Sequence, residues 1–236
     1  MLRGLLTLAT VVVATLVLGL VGIVGGLAAP RSNFGYRIGR LWSRVCLAAA
    51  GIEPTFTGLE HAAGTAPRLF LANHLSVVDI WVLAVCLPAT TRFVAKRSLF
   101  FVPILGQTMW VAGFIPIDRG DRTQAIRSLG RAASRIRRGA SVILFPEGTR
   151  SRTGKLAPFK KGSFHLALET RVPIVPVAIS GSGSVVRPRS IVIRPGRVHV
   201  TLFPQVDPET YGDDVVALMN RVRATIASGL APGELS

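Results

Sequence analysis

From Gly4 to Ala29 the chain carries no charged residue. A helix on the surface of a water-soluble body needs a polar face, and this run has none to offer. About 20 apolar residues are enough to cross the hydrocarbon layer of a bilayer, so the run is predicted to be a membrane segment. A cleaved signal peptide is the rival reading, but its apolar core is normally about 7–15 residues long. Glycines at 4, 19, 22, 25 and 26 weaken the run as an isolated helix. They suit a helix packed closely on a neighbour, or one that re-enters the same leaflet.

Pro30 breaks the run, and Phe34 to Ala50 comes next with a different pattern. Ile38, Leu41, Trp42 and Val45 share one face, whereas Arg37, Arg40 and Arg44 share another. A basic, Trp-bearing amphipathic helix suits a membrane interface, or packs on a soluble body. Positive charge concentrated after the apolar run places the rest of the chain on the cytoplasmic side of the inner membrane. Residues 1–51 are therefore expected to form a membrane-anchoring part and 52–236 the body. The turn-rich stretch Gly51 to Gly58 reads as a linker between them.

The net charge of +16 is unevenly spread, with fifteen Lys/Arg against three Asp/Glu in residues 92–161. Phosphate-bearing or anionic-lipid partners are implied. Arginine supplies 24 of the 28 basic residues, and its planar fork suits bidentate phosphate contacts. Nucleic acid is not indicated, because no recognition motif is visible and aromatic residues make up only 7% of the chain. Cys46 and Cys86 lie in apolar runs without metal-ligand or disulfide spacing, which fits a reducing compartment.

Within the body, Leu69 to Ala72 reads as a buried strand and Val77 to Leu87 as a buried helix stopped by Pro88. Between them stand His74 and Asp79. Five residues of regular helix turn a side chain by about 140°. The two can therefore meet only if His74 lies on the turn and Asp79 in the first turns of the helix. Ser76 and Asp79 have capping-box spacing, which agrees with a helix start here. Thr91 to Ala95 is a second strand, closed by Lys96. The apolar stretch Ser98 to Ala112 is a short helix that can line an acyl tunnel or pack in the core.

Gly113 to Arg119 is a strand ending in charge, and Pro116 marks it as an edge or a bulge. Asp121 to Arg138 is an amphipathic helix with Ile126, Leu129, Ala133 and Ile136 as its buried stripe. Arg127, Arg131, Arg135 and Arg138 lie beside them. Ser141 to Phe145 is a third strand that feeds Pro146-Glu147-Gly148-Thr149-Arg150. Gly148 lets a ligand approach the backbone, and Thr149 and Arg150 offer a hydroxyl and a fork for phosphate. A nucleotide-binding P-loop is rejected: Gly148 to Gly154-Lys155 is one residue too long, and Leu156 stands where Ser or Thr would hold magnesium. His165 and Glu169 stand four apart, but two ligands are too few for a metal site. Val172 to Ile179 is a further buried strand, Ile191 to Phe203 a hairpin about Pro195-Gly196, and Pro208 to Ser228 a closing helix. Strands alternating with helices make the body α/β, a sheet flanked by helices.

Four blocks in order, Asn73-His74-x4-Asp79, Gly113-Phe-Ile-Pro-Ile-Asp-Arg119, Phe145-Pro-Glu-Gly-Thr-Arg150 and Val172-Pro-Ile-Val-Pro-Val177, carry a resemblance. Across about 68–180 the chain resembles the membrane-bound glycerolipid acyltransferases, specifically the 1-acylglycerol-3-phosphate acyltransferases. The resemblance implies a mixed sheet flanked by helices. It also implies transfer of a fatty acyl group from acyl-carrier protein or acyl-CoA to the 2-hydroxyl of lysophosphatidate, in phospholipid biosynthesis. No cofactor or metal is implied beyond that co-substrate. It gives His74 the part of general base and Asp79 that of its orienting partner. Arg119, Glu147, Gly148, Thr149 and Arg150 would shape the acceptor site, and Lys96 is grouped with them as substrate-binding.

The chemistry agrees. An alcohol attacks well only as a base takes its proton, and imidazole titrates close to neutral pH. Backbone N–H groups near the His74 turn are expected to receive the oxyanion. A sibling reading keeps the machinery and changes the acceptor to another lyso-lipid, such as lyso-ornithine lipid, or to glycerol-3-phosphate. A different class, a non-catalytic basic protein anchored to anionic lipid, is separated by His74→Ala, which it would tolerate.

Overall fold

The computed structural model describes residues 2–30, 32–118, 120–188, 190 and 192–235. Two helices come first, α1 (Leu2–Ala28) and α2 (Phe34–Ala50). Seven strands then build one sheet: β1 (Ile52–Thr57), β2 (Leu69–Ala72), β3 (Thr91–Lys96), β4 (Ile115–Ile117), β5 (Ser141–Leu144), β6 (Ile174–Ser180) and β7 (Gly196–Leu202). Helices α3 (Val78–Cys86), α4 (Leu105–Val111), α5 (Arg122–Arg137), α6 (Gly162–Thr170), α7 (Ser182–Val185) and α8 (Val215–Ser228) fall between and after them.

The strand order is β1-β7-β6-β2-β5-β3-β4, which puts β2 in the middle. From β6 to β4 every pair is parallel, whereas β7 runs antiparallel to β6 and pairs parallel with β1. The sheet is therefore mixed. β2, β5 and most of β6 are buried at every position, which is why they read as unbroken apolar runs. Phe70, Ile143, Val175 and Val177 face α2 and α3, and Leu69, Leu71, Val142 and Ile174 face α5, α6 and α8. Three layers result. Because β2, β5, β6, β3 and β4 are parallel, their carboxyl ends share one edge of the sheet, where ligands of such sheets bind.

The N-terminal helices form an antiparallel hairpin. Thr7 Oγ1 donates to Ala49 O at 3.1 Å, and Trp42 Nε1 donates to Thr15 Oγ1 at 3.0 Å. The glycines make this possible: a Cβ at Gly25 would strike the Phe34 ring, and one at Gly26 would strike Val111 of α4. On the other side of α1, Leu5, Leu8, Val12, Leu16, Leu20 and Val24 are bare. α2 is not a detached anchor. Tyr36, Cys46, Leu47 and Ala50 belong to the core of the body, and Arg40 Nε donates to Ala84 O at the end of α3 at 3.1 Å. Such a guanidinium satisfies carbonyls left open at a helix C-terminus. Ile38 meets α1 at Gly22, so part of the apolar face of α2 is spent on its neighbour.

Three sequence expectations give way. The stretch read as a linker at 51–58 holds β1, whose backbone bonds are supplied by β7. The hairpin about Pro195-Gly196 does not form among the described residues, because Gly196 opens β7 and the partners of β7 are β1 and β6. Ile126 is 60% exposed, and the stripe that α5 buries is Ser128, Ala132, Ala133 and Ile136, with Leu129 packed beside it. Pro116 lies in the outermost strand, as its missing N–H suggested.

Candidate active site

The turn between β2 and α3 starts with Asn73, whose side chain continues the strand. Its Nδ2 donates to Ile179 O at 2.8 Å and its Oδ1 accepts from Ile179 N at 2.7 Å. An amide can pair with a neighbouring backbone as a peptide group does, and here it ties β2 to β6 beyond the last ladder bond. His74 comes next on the turn, and Asp79 is the second residue of α3, the arrangement that their spacing demanded.

His74 Nδ1 lies 2.8 Å from Asp79 Oδ2. The same oxygen accepts from Leu75 N at 2.7 Å and from Ser76 N at 2.8 Å. Asp79 is fully buried and His74 only 7% exposed. The ring of Phe145, at the end of β5, stacks on the imidazole at 4.0 Å between centroids. The backbone of His74 is clamped as well: its N–H donates to Glu147 Oε1 at 2.7 Å, and its carbonyl accepts from Ser151 N at 2.8 Å. With Nδ1 engaged, Nε2 is the nitrogen left to take a proton.

These bonds change the expected place of two groups. Glu147 is buried, and its second oxygen accepts from Ala157 N at 3.2 Å. Its carboxylate stands behind the histidine, bonded to backbone on both oxygens, and not among the side chains that line the neighbouring cavity. Burial pushes its carboxyl up to about 7, against the pull of the two amide bonds. The amides of the turn are also largely spent. Those of His74, Leu75, Ser76 and Val78 donate to side-chain oxygens. Val77 N has no acceptor among the described residues.

A cavity of about 580 Å³ adjoins His74. Its walls are apolar: Leu18 from α1, Ile38 and Trp42 from α2, Trp81 from α3, Met109 from α4, and Phe145. Lys96, Thr149 and Arg150 border the same cavity, and all three are exposed. Gly148 adopts φ 76°, and a Cβ there would press on Lys160 at 3.0 Å. Arg119, expected to contribute a guanidinium, lies outside the described residues. Glu169 pairs with Arg137 at 3.2 Å on the surface. Asn73 and Phe145 stand in the sequence blocks quoted above but were given no part there, and Ser151 was not named. Their parts depend on partners far along the chain, Ile179 being 106 residues from Asn73.

A histidine held by a buried acid, beside an apolar chamber with cations at its rim, is equipped to move a proton next to a lipid-like, anionic ligand. The chain belongs to the acyltransferase family: the family model described as Acyltransferase matches residues 53–180. Among similar proteins is a 1-acyl-sn-glycerol-3-phosphate acyltransferase of Escherichia coli, 33% identical over 186 residues, covering 78% of this chain and 73% of that one. A chloroplastic 1-acyl-sn-glycerol-3-phosphate acyltransferase of Brassica napus is 32% identical over 202 residues, 85% of this chain and 57% of that protein. The chain thus spans little more than half the length of that plant relative. The crystal structure of a 1-acyl-sn-glycerophosphate (LPA) acyltransferase from Thermotoga maritima superposes with a TM-score of 0.83 at 25% identity. It covers 97% of this chain and 95% of that one.

Proposed function

We propose that this protein transfers a fatty acyl group from acyl-CoA or acyl-carrier protein to the 2-hydroxyl of lysophosphatidate, giving phosphatidate. The observation that carries the reading is the His74–Asp79 pair beside an apolar cavity rimmed by Lys96 and Arg150. His74 Nε2 takes the hydroxyl proton as the oxygen attacks the thioester carbonyl. The C–O bond forms, the C–S bond breaks, and the imidazolium returns the proton to the departing thiolate. Atoms and charges balance with the donor as the one co-substrate. Asp79 fixes the ring and stabilises the imidazolium. Glu147 and Asn73 position the turn. The amide of Val77, a residue at the start of α3 that borders the cavity, is the donor of this turn left for the oxyanion. Lys96, Arg150 and Arg119 are assigned to the anionic groups of the two substrates, with Thr149 and Gly148 beside them.

Residues 1–51 serve as the membrane-anchoring part and 52–236 as the catalytic body, the two joined through α2. The anchor lies in one leaflet. α2 runs beside most of α1, so a spanning α1 would carry the exposed Arg37 and Arg44 into the hydrocarbon. The body then rests on the cytoplasmic face of the inner membrane, in line with the basic charge after α1.

The test is turnover by the full chain in lipid vesicles. Both donor types are offered with lysophosphatidate, a phosphate-free lyso-lipid and glycerol-3-phosphate as acceptors. Acylation of lysophosphatidate above the others is expected. Acylation of the phosphate-free lipid alone would replace this acceptor.

A further inference from the structure

A 3-10 turn at Arg97–Phe101 divides two cavities. Lys96, Ser98 and Leu99 border the chamber that holds His74. Arg97, Phe100 and Phe101 border a second groove of about 350 Å³, which Trp110, Asp118 and Arg131 help to close. The two share no lining residue among those described.

The second groove is unusual in its mixture. Phe101 is 73% exposed and Trp110 56%, while Phe100 packs edge-on against Trp110 at 5.0 Å. Contiguous aromatic surface left in water marks an interaction site. Arg131 is aimed by two bonds of its Nη2, to Ser128 Oγ at 2.7 Å and to Pro116 O at 3.0 Å. The Asp118 carboxylate is turned to its own loop, accepting from Gly120 N at 3.1 Å. It forms no ion pair with Arg97 or Arg131 among the described residues. The groove is joined to α1 by way of α4, which packs on the glycine-bearing side of α1. α4, which carries Trp110, is bonded to α1 through Thr108 Oγ1 and Gly19 O at 3.3 Å.

We infer that this groove holds the anionic headgroup of a bilayer phospholipid, with Arg97 and Arg131 on the phosphate and Phe101 and Trp110 seated at glycerol depth. Aromatic rings at a membrane–water boundary with guanidinium groups beside them suit anionic lipid. An acidic protein partner is the rival occupant; lipid is favoured because α4, which carries Trp110, packs on α1, the helix assigned to the leaflet. The inference rests on α1 lying in the same leaflet. Its consequence is that the wall between the two cavities is pressed against the lipid from which the acceptor comes.

The full chain is mixed with vesicles of phosphatidylcholine alone, or of phosphatidylcholine with phosphatidylglycerol, each carrying lipid brominated near the glycerol end. Emission from Trp110 is isolated by subtracting the Trp110→Phe protein. Bromine should quench Trp110, more strongly in anionic vesicles. Arg97→Gln and Arg131→Gln should each weaken partition onto anionic vesicles roughly fivefold. Both variants should leave turnover in detergent unchanged. If the protein sediments with vesicles while Trp110 stays unquenched, or is quenched equally in both, the groove is no anionic-lipid site. If Trp110 is shielded only when acidic carrier protein is added, a protein takes the place of the lipid. If the chain fails to sediment with either vesicle, the membrane reading of α1 falls and this inference with it.

Discussion

The turn after β2 is held by polar bonds to three other parts of the chain, whereas α1 is held largely by close packing and leaves one side bare. At the turn, Asp79 Oδ2 alone receives three donors, and Asn73 and Glu147 tie the same residues to β6 and to the segment at 157. In the hairpin, glycines at 25 and 26 bring side chains of α2 and α4 against the α1 backbone, with few polar bonds. A reactive ring needs one geometry, so it is overdetermined by directional bonds. A helix proposed to lie in lipid needs an apolar outline, which packing of small residues supplies without direction.

The contrast can be broken most sharply at the ring. His74→Ala should lower turnover by about 10²- to 10⁴-fold while the protein stays folded and bound to vesicles. Undiminished phosphatidate synthesis would remove the base from the mechanism. Next is Val77→Pro, which deletes one N–H at a residue whose φ of −65° proline already adopts. If that amide receives the oxyanion, kcat should fall by about 10²- to 10³-fold with KM and thermal stability little changed. A normal kcat would place the oxyanion elsewhere. For the hairpin, Gly26→Leu should destabilise by about 1–3 kcal/mol through overpacking against Val111. It should loosen attachment to vesicles more than it alters the rate of the protein that remains bound. A loss confined to kcat would mean that the two regions are one mechanical unit.

The smallest effect lies in pH. Glu147 is pushed from its ordinary 4.5 up to about 7 by burial, so in that window the folded chain holds a proton that the unfolded chain releases. Its contribution to stability therefore falls as pH rises from about 4.5 to about 7 and levels off above. Glu147→Gln should lack this slope, read as the difference between the urea midpoints of the two proteins across pH. Parallel curves would mean that the carboxyl is not perturbed in this way.

The turn was legible because its constraint is local. Five residues separate His74 from Asp79, and only a turn followed by a helix start lets them meet. β2 and β5 were legible because both faces are covered and every position is apolar. β1 was not, since Gly51, Pro54 and Gly58 look like a linker and the strand exists only through β7, some 140 residues away. Pro195-Gly196 looked like a hairpin for the same reason: local turn chemistry competed with pairing to β1 and β6, and the distant partners won. Ile126 sits about 80° from Ile136 around α5, close enough to its buried stripe to mislead a periodicity count. Glu147 was recognised as a residue of the site, but nothing nearby in sequence could tell that its oxygens are taken by the amides of His74 and Ala157.

Thr15, Leu18 and Gly19 of α1 form part of the chamber beside the histidine. Trimming the chain to a water-soluble form that starts at α2 would leave a trough open along one flank. Inhibitors selected against such a fragment would be fitted to a shape that the chain with α1 in place never presents.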